Sequence, residues 1–158
     1  MSNQISRPPP QGWPRISSAL FYEDAARAIE FLCNAFGFEL RLKVEGEGGT
    51  IEHSELTFGD GLVMVGSIGE SRDRPDRGFC ASPRRLGGKN TQSLCVCVDD
   101  VDAHCQRARA AGAQIVSEPA TKDYGDEYWA DRTYQAQDLE GHHWWFMQRV
   151  REPKPRSA

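Results

Sequence analysis

Several things are scarce in this chain of 158 residues. Histidine occurs only four times, and the five cysteines are an odd number that contains no CxxC pair. The CxxC spacing typical of structural zinc and many iron–sulfur sites is therefore missing. Positive charge is not in excess. Lys and Arg number 19 against 23 Asp and Glu, a net charge of −4, which argues against a nucleic-acid binder that must meet phosphates. No apolar run reaches the roughly 20 residues that a membrane-crossing helix needs. No phosphate loop is present, because Gly46-Glu-Gly-Gly49 lacks both a lysine and a following helix. Ser17 and Ser93 have no recognisable His–Asp partners, so a serine nucleophile is not indicated. The first 14 residues are polar and rich in proline, without the apolar centre of a secretory signal. A cytoplasmic location is expected, with cysteines that are reduced and mostly buried.

What is present is a repeat. Ile16–Tyr22 reads as a strand, and Asp24 caps a helix in which Ala25, Ala28, Ile29, Leu32 and Phe36 recur at helical spacing until Gly37. Ser93–Val98 reads as a second strand, Asp100 as a second cap, and Val101, Cys105 and Ala108 as a second helical stripe that stops at Gly112. The two caps lie 76 positions apart, and Ser17 lies opposite Ser93 at the same offset. Matching segments at one offset point to duplication. Three strand candidates follow each helix. They are Phe38–Val44, Thr50–Phe58 and Leu62–Gly66 in the first copy, and Gln114–Val116, Arg132–Gln137 and His142–Gln148 in the second. Gly59-Asp-Gly61 and Asp138-Leu-Glu-Gly141 supply the turns between the last two strands of each copy.

The chain thus divides into a polar tail over 1–14, a first βαβββ unit over 15–67, a linker or lid over 68–90, a second unit over 91–150 and a frayed tail over 151–158. The linker carries Arg72, Arg74, Arg77, Arg84 and Arg85 and reads as a mobile, solvated loop, whose arginines could gather an anionic ligand.

Four motifs give the repeat a family likeness. They are Tyr22-Glu-Asp-Ala-Ala-Arg-Ala-Ile-Glu-Phe31 with Ala35-Phe-Gly-Phe38, His53-Ser-Glu-Leu56, Val98-Asp-Asp-Val-Asp102 with Ala111-Gly-Ala113, and Asp138-Leu-Glu-Gly-His-His-Trp144. In order and spacing the chain resembles the vicinal oxygen chelate superfamily of glyoxalase I, extradiol dioxygenases, bleomycin-binding resistance proteins and fosfomycin-modifying enzymes, and within it the PhnB-like branch. The resemblance implies an α+β fold of two βαβββ modules forming curled mixed sheets around a shared cleft. It also implies a homodimer, in which modules pair within one chain or exchange between chains.

Metal-dependent members place one ligand on the first and one on the last strand of each module. By the resemblance these places fall at Ser17 or Ser18, Met64 or Val65, Gln92 or Ser93, and Trp145. Such residues are poor ligands for a hard divalent ion, so neither metal nor cofactor is expected. Tyr124, Tyr128, Trp129, Tyr134, Trp144, Trp145 and Phe146 cluster near the end, and aromatic faces bind flat or cationic molecules. The expected function is metal-independent binding, of the sequestering kind, of a small aromatic or cationic molecule, without nucleic acid or membrane as partner. The candidate ligand-binding residues are Trp145, Trp129, His53, Glu55, Arg132 and His143. The alternative is a lyase, isomerase or dioxygenase with a displaced metal site drawn from His53, Glu55, Cys95 or Cys97, and His143. A third reading is a structural domain with a vestigial cavity. His104, on the second helix, is expected to be exposed.

Overall fold

The structure is a computed structural model and describes residues 7–154. The duplication governs its layout. The first copy folds as β1 (Ser18–Tyr22), α1 (Ala25–Phe31), β2 (Glu39–Glu45), β3 (Ile51–Phe58) and β4 (Gly61–Ser67). The second folds as β5 (Leu94–Cys97), α2 (Val101–Ala110), β6 (Gln114–Asp123), β7 (Ala130–Gln137) and β8 (His143–Arg151). Each copy forms one four-stranded mixed sheet, ordered β1-β4-β3-β2 and β5-β8-β7-β6. Within each, the first strand runs parallel to the last and the remaining pairs are antiparallel.

The local signals act as their chemistry requires. Asp24 and Asp100 accept the amides of Arg27 and Ala103 and so cap the two helices. Gly37 and Gly112 end them at φ of 80° and 93°, the left-handed region where a side chain is strained. Two elements depart from expectation. The first helix widens into a π-helical turn over Leu32–Phe36, which carries Phe36 towards the second module. β6 extends to Asp123, well past Val116. Pro119 sits where the register with β7 shifts between Ser117 and Ala120, so a residue without an amide proton is tolerated.

Each helix lies on one side of its own sheet, and the core is on those helix sides. Leu20, Tyr22, Leu56 and Val65 back α1, whereas Tyr134, Ala136, Trp144 and Phe146 back α2. Phe36 joins the two halves, with its ring centroid 5.4 Å from Trp144 and 4.8 Å from Phe146. Polar contacts seal the same seam. Tyr22 and the Trp144 indole both donate to Asp138 Oδ2, at 2.7 and 3.0 Å. The second oxygen of Asp138 accepts the amides of Glu140, Gly141 and His142 and shapes the β7–β8 turn. Glu140, only 3% exposed, accepts the amides of Glu23 and Asp24 at 2.8 and 2.9 Å and the Ser82 hydroxyl at 2.5 Å. Burial pushes the Glu140 carboxyl up, but the hydrogen bonds from Ser82, Asp24 and Glu23 and the Arg84 charge outweigh it, leaving its pKa below the ordinary value.

The same turn tethers the linker. Arg84 donates to Leu139 O, Arg85 pairs with Glu23, and Arg77 is buried and donates to the carbonyls of Ile51, Glu52 and Ser67. The segment over 68–90 is therefore pinned at several points, where its composition suggested a solvated loop.

His104 is half-buried rather than exposed. Nε2 donates to Phe36 O at 2.9 Å, so Nδ1, at 2.7 Å from the Tyr134 hydroxyl, accepts. Burial lowers its pKa, the Phe36 carbonyl partly opposing this and the Arg107 charge adding to it. The folded chain then resists a proton that the unfolded chain accepts. Its stabilising contribution is complete above about pH 6.5 and is lost as pH falls towards the depressed folded value.

Two outcomes follow. Glu140→Ala strands two amides and a hydroxyl at the seam and is expected to lower unfolding free energy by about 2–4 kcal/mol in urea titrations, with Glu140→Gln intermediate. The urea midpoint of the unaltered chain is expected to fall from pH 7 to pH 5, and this fall is expected to shrink in His104→Gln.

Candidate functional site

Because the helix sides are consumed in the core, the opposite face of each sheet is open. Strand register defines these faces. On the first sheet Ala19 pairs with Met64, Met64 with Glu55, Glu55 with Leu42, and His53 with Val44. All share the open face with Phe21. On the second sheet Cys95 pairs with Trp145 and Cys97 with Met147, while Gln135 and Thr133 continue the same face along β7. Leu42 and Val44 are 42% and 45% exposed, and Trp145 and Trp129 are both 36% exposed. These are large apolar side chains with nothing packed fully over them.

The candidate residues fall into two groups on two sheets. On the first sheet, His53 Nε2 lies 3.1 Å from Glu55 Oε1, and Arg41 Nε lies 3.4 Å from Glu55 Oε2. Arg41 also donates to the carbonyls of Gln11 and Gly12 and so ties the N-terminal segment to β2. Glu55 is 6% exposed, a buried carboxylate held by one cation and one imidazole. Beside it lies a hollow of about 150 Å³ between Phe21, His53 and Met64 of the sheet and Arg74 and Arg77 of the linker. The Arg77 guanidinium sits 5.6 Å from the Phe21 ring centroid.

On the second sheet, His143 stacks edge-on against Trp145 with centroids 5.8 Å apart, and burial lowers its pKa. At the other end of β8, the Arg149 guanidinium lies 5.0 Å from the Trp129 ring centroid and pairs with Asp131 at 2.5 Å. Arg132 does not join either group. It pairs across β8 with Gln148, whose side chain accepts the Val101 amide on the helix side, and its own guanidinium grips Asp102 of α2 through two 2.7 Å bonds. The alternation that places Asp131 on the open face places Arg132 on the other. His142 also lies off the open face, donating to Phe21 O and packing on Tyr22.

The two metal positions on first strands need revision. The residues paired with Met64 and Trp145 are Ala19 and Cys95, not Ser17 or Ser18 and Gln92 or Ser93. An alanine, a thioether, a thiol and an indole do not fit a hard divalent ion. Among the described residues no group of three or more His, Cys, Asp or Glu is placed to hold a metal. All five cysteines are free, and Cys95 and Cys97 are exposed whereas Cys105 alone is buried, contrary to the expectation of mostly buried thiols. Sequence reasoning paired Cys95 with Cys97 on one face but missed Arg41, Met147 and Arg149. Alternation along β8 from Trp145 was the signal for the latter two.

A scaffold of two βαβββ units with open sheet faces defines a class, and the sequence agrees. The profile of the Glyoxalase/Bleomycin resistance protein/Dioxygenase superfamily matches residues 15–146, and the chain belongs to that superfamily. Among curated relatives it is 36% identical over 141 residues to the Mycobacterium tuberculosis protein Rv0887c, covering 88% of this chain and 76% of that protein. Among solved structures it is similar to TioX from Micromonospora sp. ML1, with 37% identity, a TM-score of 0.65, and coverage of 87% of this chain and 99% of that one. A fosfomycin resistance protein, FosX, from Listeria monocytogenes, solved with Mn(II) and 1S,2S-dihydroxypropylphosphonic acid, shares the fold at 14% identity and a TM-score of 0.53, over 82% of this chain and 85% of its own.

Thiol labelling checks the face assignment. Under native conditions Cys95 and Cys97 are expected to react with a soluble disulfide reagent ahead of the other thiols, and Cys105 only on unfolding.

Proposed function

We propose that this protein is a metal-independent binding protein of the PhnB-like branch that sequesters a small aromatic or cationic molecule. The observation that carries the reading is the pairing of four residues unsuited to hard metals, Ala19, Met64, Cys95 and Trp145, with open faces that carry tryptophan and a buried carboxylate. Trp145 and Trp129 would stack on a flat ring, His143 would support Trp145, and Glu55, held by His53 and Arg41, would face a positive charge. Arg132 would act at a distance, by fixing α2 against β7.

The two groups lie on different sheets, and a cleft lined by both needs the faces to meet. A homodimer in which the open face of one copy's first sheet covers that of the other copy's second sheet would bring them together. Leu42, Val44, Met147 and Trp145, exposed or half-buried in the single chain, would then be covered.

Three measurements test this. Light scattering is expected to give twice the chain mass, and a monomer at micromolar concentration would remove the paired cleft. Metal analysis after dialysis is expected to find no stoichiometric Zn, Ni, Mn or Fe, and finding one would favour the enzymatic alternative. Acridine orange, a planar aromatic cation, is expected to bind. Trp145→Ala and Glu55→Gln should each weaken it by about tenfold, with little change in urea midpoint for the half-exposed Trp145. An affinity unchanged from that of the unaltered protein in both variants would overturn the site assignment.

A further inference from the structure

The open face of the second sheet carries sulfur at three neighbouring positions. Cys95 and Cys97 alternate with Leu94 and Val96 along β5, so both side chains point away from the core, and both are exposed. With a rise of about 3.3 Å per residue their Cα atoms stand about 6.6 Å apart. The parallel pairing of β5 with β8 sets Met147 directly opposite Cys97, about 4.8 Å away across the strands. The thiols are close enough to sense one another. Burial raises the pKa of Cys95, and the neighbouring Cys97 and then Asp131 raise it further.

We infer that Cys95, Cys97 and Met147 form a binding site for a soft monovalent cation, Cu(I) or its analogue Ag(I). Two thiolates and a thioether are the donor set that selects such ions over harder ones. The nearby oxygen donor, Asp131, is already engaged by Arg149, so a hard divalent ion finds no free carboxylate there. Rotation about the Cα–Cβ bonds lets two thiols at this spacing converge on one ion, with Met147 closing the third side. On binding, each cysteine releases its thiol proton to water as a metal–sulfur bond forms. Met147 adds a lone pair, and no oxidation state changes. Protons compete with the ion at both thiols, so affinity falls as pH falls. The site does not depend on the sequestration of an organic ligand, although it lies on the same face as Trp145, whose indole stands across from Cys95 and reports on it.

The test is an anaerobic titration of the reduced full-length protein with Ag(I), and separately with Cu(I) supplied as its acetonitrile complex. It is followed by thiolate-to-metal absorption, Trp emission and native mass. One ion per chain is expected, with quenched Trp emission that is reduced in Trp145→Phe. Cys95→Ser and Cys97→Ser should each weaken binding about 100-fold and Met147→Leu about tenfold, whereas Cys33→Ser, Cys80→Ser and Cys105→Ser should leave it unchanged. As a check that needs no variant, bound Ag(I) should protect both Cys95 and Cys97 of the unaltered chain from iodoacetamide, as mapped by peptide mass. Wild-type affinity in either Cys95→Ser or Cys97→Ser, protection of only one of the two thiols, or Zn(II) binding as tight as Cu(I) would overturn the assignment.

Discussion

The junction between the two modules rests on two buried carboxylates in one turn. Asp138 holds the β7–β8 turn closed with one oxygen and takes Tyr22 and Trp144 with the other. Glu140 reaches from the same turn to the amides that precede α1. A buried carboxylate is costly unless its lone pairs are filled, and here they are filled by groups from both modules and from the linker. Separating the modules would strand these oxygens and expose Phe36, Trp144 and Phe146 together. The polar seam and the aromatic core are therefore lost or kept as one unit.

That seam determines where the open faces lie. Both helices and Phe36 occupy the joint, so the faces carrying Glu55 and Trp145 are turned away from it. The two faces differ in character. The first offers a buried carboxylate flanked by Arg41 and His53, with the arginines of the linker nearby. The second offers indole rings, two thiols and a thioether. Neither face encloses a ligand by itself, which is the physical reason that a second copy of the chain enters the functional reading.

Much of the fold was legible because its signals are local. Asp24, Asp100, Gly37 and Gly112 act within a few residues of themselves, and the repeat of caps and stops made the two-module architecture readable without any knowledge of long-range contacts. Alternation likewise told that His53 shares a face with Glu55, and Cys95 with Cys97. What was not legible depended on register and on partners far along the chain. A slip of one position separates Ser18 from Ala19 as the residue facing outward, and only the pairing with Met64 decides it. Arg132 sits next to Asp131 in a cluster of aromatic and charged residues, yet the helix-side position of Gln148 decides where it points. His104 reads as a surface residue on its own helix and is half-buried because Phe36 of the first module and Tyr134 and Phe146 of its own pack around it. The linker's arginines look solvated until the carbonyls of β3 and β4 that accept from Arg77 are known.

The placement of the core on the helix sides has a consequence for how such a chain can change over time. Residues such as Leu42, Val44, Cys95 and Trp145 contribute little to the interior, so replacing them costs the folded state little. Tyr22, Phe36, Asp138 and Glu140 have no such freedom. If the open faces bind ligand as proposed, stability and recognition are written on opposite surfaces of the same strands, alternate residue by alternate residue. A lineage carrying this scaffold can exchange one recognition chemistry for another by point substitution while every second residue stays fixed.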